Sequence, residues 1–403
     1  MKKIALIGGG GKITTATILE LLEENIPCRF SLYGRTREKM ENTCTLAARF
    51  NDCGAVLDIA PTLEDALEGA DLVLYCASYG LGDFEAYHAY GVQHGAYLMG
   101  IGERMTVRCP DAWLLVVTNP PDIPLIAVHL RFGLSRVVGL CNASVFTRKV
   151  LAAYLGEPEA DVMPYDAGIN HELWYYDVRV RGLSVYNDLR TRLLEHYDPS
   201  EITGAFHEEF PEWREGFLRN VEILRQTGYL HAPVGGGHRF RGLPETRMGE
   251  LMKRPTYADF EKLLDPTLTR EQILKGTRRC AAEFPRYIAD IIAALLGLRE
   301  TEQSALVLNR GALAGYPDDA MVQLTCRFSR DAVVRPVVAL PEFIEAALAS
   351  RIRQNLLLGR ALGEQDAHCL KQAALTFPER VDFAAVAKPW KHGGNAEPWM
   401  SLN

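Results

Sequence analysis

The stretch IALIGGGG, residues 4–11, is a run of four apolar residues that stops on four consecutive glycines. The run fits a short buried strand. Glycines lack Cβ atoms, so the backbone can turn tightly there and approach a pyrophosphate held at the N-terminus of the next helix. That helix is expected over Ile13–Glu24, with Ile13, Ala16, Leu19 and Leu22 on one face. Beyond it, strand and helix signals alternate. Strands are expected at Arg29–Tyr33, Ala55–Ile59, Leu72–Tyr75, Leu114–Thr118 and Val137–Leu140, and helices at Glu38–Phe50, in LEDALEGA and near Pro124–Phe132. The alternation predicts an α/β fold, a Rossmann-type doubly wound parallel sheet. Such sheets bind ligands beyond the carboxyl ends of their strands, where Gly8, Asn119 and Cys141 fall.

After about residue 175 helical patterns dominate: Asp188–His196, Phe206–Gln226, Tyr257–Leu264, a long one at Arg270–Leu298, and two more near Pro341–Leu362 and Asp366–Thr376. A strand pair, Ala305–Leu308 and Ala320–Thr325, interrupts them, and KPWKHGGNAEPW at 388–399 reads as a loose polar tail. The expected division is a nucleotide-binding domain over 1–165 and a mixed α+β, mainly helical domain over 166–403 that closes over the substrate.

Composition narrows the function classes. A net charge of −7 over 403 residues supplies no surplus of Lys and Arg for a nucleic-acid partner. No apolar stretch approaches the roughly 20 residues of a membrane span, and the apolar start is cut off by glycine too early for a secretory leader. The nine cysteines lack CxxC pairs or a framework spacing, which suits reduced thiols and a cytoplasmic enzyme.

The glycine turn, Gly8, Gly9, Gly10 and Gly11 followed by Lys12, is not a clean GxGxxG, because Ile13 stands at the third glycine's place. Glycine turns also occur with no ligand, but here the turn follows the first strand of an alternating chain. In LYGRTR, 32–37, Gly34 occupies the position where an acidic residue would bind ribose hydroxyls. Arg35, with Thr36 beside it, would favour a 2′-phosphate and hence NADP; equally, Arg35 stacks on adenine or faces solvent. Asn119 in TNPPD, 118–122, is a candidate sugar or ribose contact, or a turn asparagine ahead of a helix.

VVGLCN at 137–142 and GINHELW at 168–174 each place a metal-capable side chain after a strand-like run. Singly, Cys141 would most often be a small buried hydrophobe and His171 a satisfied interior histidine. Together, near a cofactor turn, they are candidate ligands for Mn²⁺ or another divalent transition metal, since a thiolate with an imidazole suits these better than Mg²⁺. Tyr229, in RQTGYLHAPVGGGHRF at 225–240, is either a base or a packed helix-end tyrosine. The segment GGGHRFRG, 235–242, is either an anion clamp through His238, Arg239 and Arg241 or a surface loop.

In order along the chain, these motifs resemble glycoside hydrolase family 4, the NAD- and metal-dependent glycosidases with a fold like that of lactate and malate dehydrogenases. The resemblance runs through GGGG at 8–11, LEDALEGADLVL at 63–74, PDAWLLVVTNPPD at 110–122, VGLCNAS at 138–144, GINHELW at 168–174 and LNRGALAGYPDDAMVQL at 308–324. It implies an O-glycosidase, acting on anionic or C6-modified sugars, that forgoes the usual pair of carboxylates. The implied route is oxidation at sugar C3 by tightly held NAD, C2 deprotonation by Tyr229, elimination of the aglycone, water addition and return of the hydride. The metal on Cys141 and His171 would hold O2 and O3, with Asn119 and Asn142 contacting the sugar or supporting the ligands. A homodimer or homotetramer is also implied. The alternatives are an NAD(P)-dependent dehydrogenase of a 2-hydroxy acid or sugar acid, although no GxHG-type histidine turn is found, and a nucleotide-binding regulatory protein without catalysis.

Overall fold

The computed structural model describes residues 1–77, 87–198, 211–232 and 255–376. Its first half alternates strand and helix: β1 (Lys2–Ile7), α1 (Lys12–Glu23), β2 (Cys28–Tyr33), α2 (Arg37–Ala48), β3 (Val56–Ile59), α3 (Leu63–Leu67), β4 (Leu72–Tyr75), α4 (Tyr87–Arg108), β5 (Trp113–Val116), α5 (Asp122–Phe132), β6 (Val137–Gly139) and α6 (Ala143–Leu155). The six strands pair in parallel in the order β3-β2-β1-β4-β5-β6. Ile4, Ala5, Leu6 and Ile7 are all buried, as expected of a parallel strand covered by helices on both faces. The helix α4 has no counterpart in the sequence expectations. It packs on α5, where a Cβ on Gly91 would stand 2.9 Å from Ile123 Cδ1, and on the later helix Glu342–Glu364, where one on Gly95 would stand 2.1 Å from Leu362 Cδ2.

The second half adds β7 (Val162–Ile169), β8 (Glu172–Val180), β9 (Leu183–Ser184), α7 (Tyr186–His196), α8 (Pro211–Thr227), β10 (Leu230–His231), α9 (Tyr257–Glu261), α10 (Arg270–Cys280), α11 (Pro285–Leu295), β11 (Thr301–Leu308), β12 (Met321–Ser329), β13 (Ala332–Val334), α12 (Glu342–Glu364) and α13 (Ala367–Leu375). Its strands are antiparallel and continue the same sheet. The link is the pairing of Leu306 on β11 with Gly139 on β6, followed by β12, β7, β8 and β10. A Cβ on Gly139 would lie 3.0 Å from Leu306 Cβ, so the glycine permits this approach. The boundary expected after residue 165 falls within β7, at the register shift between Tyr165 and Asp166.

One long helix was expected over Arg270–Leu298; the structure breaks it. The chain leaves α10 through Ala282 and Glu283, both at positive φ (52° and 55°), and restarts with Pro285 in the first turn of α11. A proline has no N–H to donate and its ring clashes with the preceding turn, so it opens a helix far more readily than it continues one. The restarted helix buries nearly its whole length against β11, β12 and α1, including Ile288, Ile291 and Ile292. The hairpin β7–β8 was also not foreseen as a pair. Only GINHELW at 168–174 is singled out in the sequence, and no glycine marks the turn itself, because the tip is Asn170–His171.

Candidate functional site

At the end of β1 the chain turns back through Gly8 and Gly9, whose N–H groups both donate to Tyr33 O at 2.9 and 3.0 Å. Gly8 takes φ 95°, and a Cβ there would stand 2.9 Å from Ala77 N. A Cβ on Gly9 would stand 2.7 Å from Leu32 Cβ. The turn therefore packs flat against β2 and the end of β4. Gly11 is the N-cap of α1 and offers no side-chain hydrogen bond, so the first-turn amides of that helix keep their partial positive charge for an incoming anion. Arg35 and Thr36 are exposed at the end of β2, and Lys12 Nζ donates to Pro255 O. No acidic side chain stands at position 34.

Two strands further on, β5 ends ahead of Asn119, which forms a cis peptide with Pro120. Its neighbour β6 ends ahead of Cys141, which is fully buried. Asn142 is the N-cap of α6. Burial pushes the Cys141 thiol up to about 12, while the backbone N–H groups of Ala143 and Asn142, donated to its sulfur, pull the other way. A thiol in this place loses its proton only to a strong positive charge, such as a coordinated divalent ion. The helix-start amides then stabilise the thiolate.

His171 lies at the tip of the β7–β8 hairpin, between Ile169 and Glu172, with φ 63° and 6% exposure. Histidine is among the few side chains that tolerate this left-handed conformation. The tip is fastened to the parallel half: Asn170 Nδ2 donates to Asn119 Oδ1 at 3.1 Å. The structure thereby brings Cys141, Asn119, Asn142 and His171 to one region, at the ends of β5 and β6 and the tip of the hairpin. Among the described residues, the one trio of ligand-type side chains close enough to share an ion is Glu364, Asp366 and Cys369, elsewhere on the surface. Cys141 and His171 are the candidate pair that the sequence motifs single out. A pair of this chemistry suits a transition metal and leaves coordination positions for other oxygens.

Tyr229 sits differently. It precedes β10, whose Leu230 and His231 pair with Tyr175 and Trp174 of β8. Ala232 N donates to Leu173 O at 2.9 Å, which puts Ala232 at the His171 end of the strand. Tyr229 lies three residues back toward Tyr176, roughly 17 Å along β8 from His171 at about 3.4 Å per residue. Its ring stacks in parallel on Phe343 of α12, at 6.4 Å between centroids. Phe343 also meets the edge of Trp174 at 5.6 Å. His238, Arg239 and Arg241 lie outside the described residues, which resume at Pro255.

Several groups at this region went unnoticed in the sequence. Asp122, buried at the start of α5, accepts from Asn355 Nδ2 of α12 at 2.5 Å. Glu172, next to His171, faces Arg351 of α12 at 4.0 Å. Asn170 itself stood inside the quoted GINHELW. Its pairing with Asn119 bridges 51 positions and leaves no periodic trace, and α12 reads only as an amphipathic helix.

Residues 75–157 match the family model described as family 4 glycosyl hydrolase, and residues 167–379 match that of the family 4 glycosyl hydrolase C-terminal domain. The chain belongs to glycosyl hydrolase family 4. It is a glycosidase, and the resemblance carried by the cysteine and histidine motifs is confirmed at the level of family. Among curated relatives of this family 4 enzyme is a probable 6-phospho-beta-glucosidase of Bacillus subtilis, 26% identical, with 80% of each chain covered. An alpha-galactosidase of the same organism is 25% identical, covering 94% of this chain and 93% of the relative. Among solved structures, a 6-phospho-alpha-glucosidase from gut microorganisms, crystallised with NAD and glucose-6-phosphate, superposes with a TM-score of 0.75. It is 18% identical, and 97% of this chain and 96% of that one are covered, a likeness of fold. Among the described residues no helix is long and apolar enough to cross a membrane.

Proposed function

We propose that this family 4 hydrolase cleaves O-glycosides of anionic or C6-modified sugars by elimination from a transiently oxidised ring. NAD, or NADP, would lie on the glycine turn, and Mn²⁺ or another divalent transition metal would be held by Cys141 and His171. The carrying observation is the fastening of the His171 hairpin to Asn119, beside the strand end that presents Cys141. Support also comes from the cofactors named with the gut 6-phospho-alpha-glucosidase, and from manganese and NAD+ named with a similar 6-phospho-beta glucosidase from Thermotoga maritima.

When bound, the nicotinamide supplies a reversible hydride acceptor and the metal a Lewis acid for adjacent sugar oxygens. The chain's own residues supply the rest. Gly8–Gly11 and the uncapped start of α1 receive the pyrophosphate, with Lys12, Arg35 and Thr36 around it. The N–H groups of Asn142 and Ala143 hold the Cys141 sulfur as an anion. Asn119 and Asn142 orient sugar hydroxyls, and Asn170 fixes the turn that aims His171. Tyr229 is the candidate base, its ring stacked on Phe343 of α12. His238, Arg239 and Arg241 are the candidate clamp for a charge at C6. Residues 1–165 are assigned the cofactor and 166–403 the substrate and oligomer contacts, in a cytoplasmic homodimer or homotetramer.

The test is a screen of aryl glycosides, neutral and anionic at C6, with Mn²⁺ and NAD⁺ in deuterated water. Aglycone release with no net NADH and with deuterium at C2 of the product is expected. Turnover without C2 deuterium sinks the elimination route. Tyr229→Phe should lower kcat at least 100-fold, and a variant with undiminished kcat would transfer the base role elsewhere.

A further inference from the structure

A second cavity of about 300 Å³ lies behind the candidate metal end, between α6, α10, α11 and β11. Its walls carry Arg148, Lys149, Arg278 and Arg286, with Tyr287 and Ser304 at the back. Three of these cations are matched. Lys149 pairs with Glu159 at 2.8 Å and Glu283 at 3.6 Å. Arg278 holds Glu20 with two bonds, at 2.6 and 2.8 Å, and Arg286 meets Glu24 and Asp290. Arg148 is different. Its Nε donates to Glu159 O at 2.9 Å; Glu159 and Asp290 act on it through space, but among the described residues no carboxylate oxygen comes within ion-pair distance and no hydrogen bond from its terminal nitrogens is seen. Burial holds its pKa below the usual guanidinium range. A half-buried guanidinium with its fork open to a cavity is costly unless an anion occupies that fork.

The back wall touches the other site. The Tyr287 hydroxyl donates to Ser304 O at 2.5 Å, and the backbone of Cys141 lies close enough to bear on its titration. A ligand that moves Tyr287 therefore moves the backbone of a candidate metal ligand.

The geometry points to this cavity as a regulatory site for a small phosphate monoester, gripped by Arg148 and acting through Tyr287 on the metal at Cys141. The regulatory half of the inference rests on the metal reading above. The volume exceeds what a bare phosphate fills and suits a sugar-sized molecule. Lys149 and Arg286 add positive field at the rim without being freed from their partners.

Crystals of the full chain with NAD⁺ are soaked in sorbitol 6-phosphate, which has no glycosidic bond, and binding is measured in solution for it and for inorganic phosphate. The expected result is a phosphate group within hydrogen-bond distance of Arg148, and binding at least tenfold tighter than that of inorganic phosphate. Arg148→Gln should weaken it at least tenfold; if that variant does not fold, Arg148→Lys, which keeps the charge and loses the fork, takes its place with an expected loss of at least threefold. Saturation should shift the Mn²⁺ Kd at least threefold, and Tyr287→Phe should abolish the shift. Density confined to the glycoside site, or affinity indifferent to Arg148→Gln, overturns the site. Equal affinity for inorganic phosphate overturns the monoester. A Mn²⁺ Kd indifferent to the ligand overturns the regulatory link. Failure of Mn²⁺ to bind at all refutes the metal reading and with it the link, while leaving the crystallographic test of the cavity intact.

Discussion

Asn170 donates from Nδ2 to Asn119 Oδ1 over 3.1 Å, and this bond ties the antiparallel hairpin carrying His171 to the parallel strand ends beside Cys141. Asn170 lies next to the candidate ligand His171, and Asn119 stands just beyond the end of β5. Removing the bond tests whether it aims the histidine. Asn170→Ala should weaken Mn²⁺ binding roughly 10–100-fold, the usual cost of losing a group that orients a ligand. Stability should fall by only about 1 kcal/mol. Titration of Mn²⁺ by electron paramagnetic resonance, beside urea unfolding, separates the two, and an unchanged Mn²⁺ affinity would remove Asn170 from the site.

The glycine turn makes a steric prediction. Gly9→Ala would place a Cβ 2.7 Å from Leu32 Cβ in the middle of β2. Relief requires shifting the turn away from the strand, at about 1–3 kcal/mol, and so away from the start of α1. NAD⁺ affinity, followed by quenching of tryptophan fluorescence, should drop at least tenfold. Affinity equal to wild type would mean that the cofactor does not rest on this turn.

Glu20 in α1 is 1% exposed and is held by Arg278 of α10. Arg278→Met leaves a buried carboxylate with only Arg286, at 3.9 Å, to answer it. The expected loss is about 3 kcal/mol, the low end for breaking a buried pair. The double variant Glu20→Gln with Arg278→Met should recover much of it. Urea denaturation of the three proteins gives the comparison, and additive losses would deny the pair its role.

Asp166 is fully buried and accepts from Thr325 Oγ1 at 2.8 Å. Burial raises its carboxyl to about 6, against hydrogen bonds from Ser304 and Thr325 that lower it. The unfolded chain titrates near 3.9. Below that value both states are protonated and nothing is lost; as pH rises through about 6 the folded protein must hold the charge. About two pH units at roughly 1.4 kcal/mol each put the cost near 3 kcal/mol at pH 7. Asp166→Asn should therefore stabilise the protein by up to about 3 kcal/mol at pH 7 and by little near pH 4. Equal unfolding midpoints at pH 7 would contradict the assignment.

The parallel half was legible because each of its strands is a buried apolar run between helices, and Ile4–Ile7 with the glycines gives the pattern in eight residues. Cys141 and His171 stood out as candidates only together and beside the glycine turn, since each alone has a commoner role as a buried side chain. The helix break at 281–284 was missed because apolar spacing carries on through it; Pro285 was the available signal. The β7–β8 hairpin was missed because its tip uses histidine at positive φ, where glycine would have announced a turn. The contacts of Asn170, Arg351 and Asn355 depend on packing between segments far apart in the chain, and no local pattern encodes them.

The single bridge between Gly139 and Leu306 is a seam with two unequal lips. If the chain were divided there, the first half would expose β6, only three residues long, and such a short edge recruits neighbours poorly. The second half would expose β11, eight residues with Ser304–Leu308 buried in the intact protein, an open edge fit to pair with another copy of itself. Of two separately produced halves, the first would stay dispersed and the second would self-associate. In the intact enzyme, that edge meets the parallel half at Gly139, two residues ahead of the metal-ligand candidate Cys141.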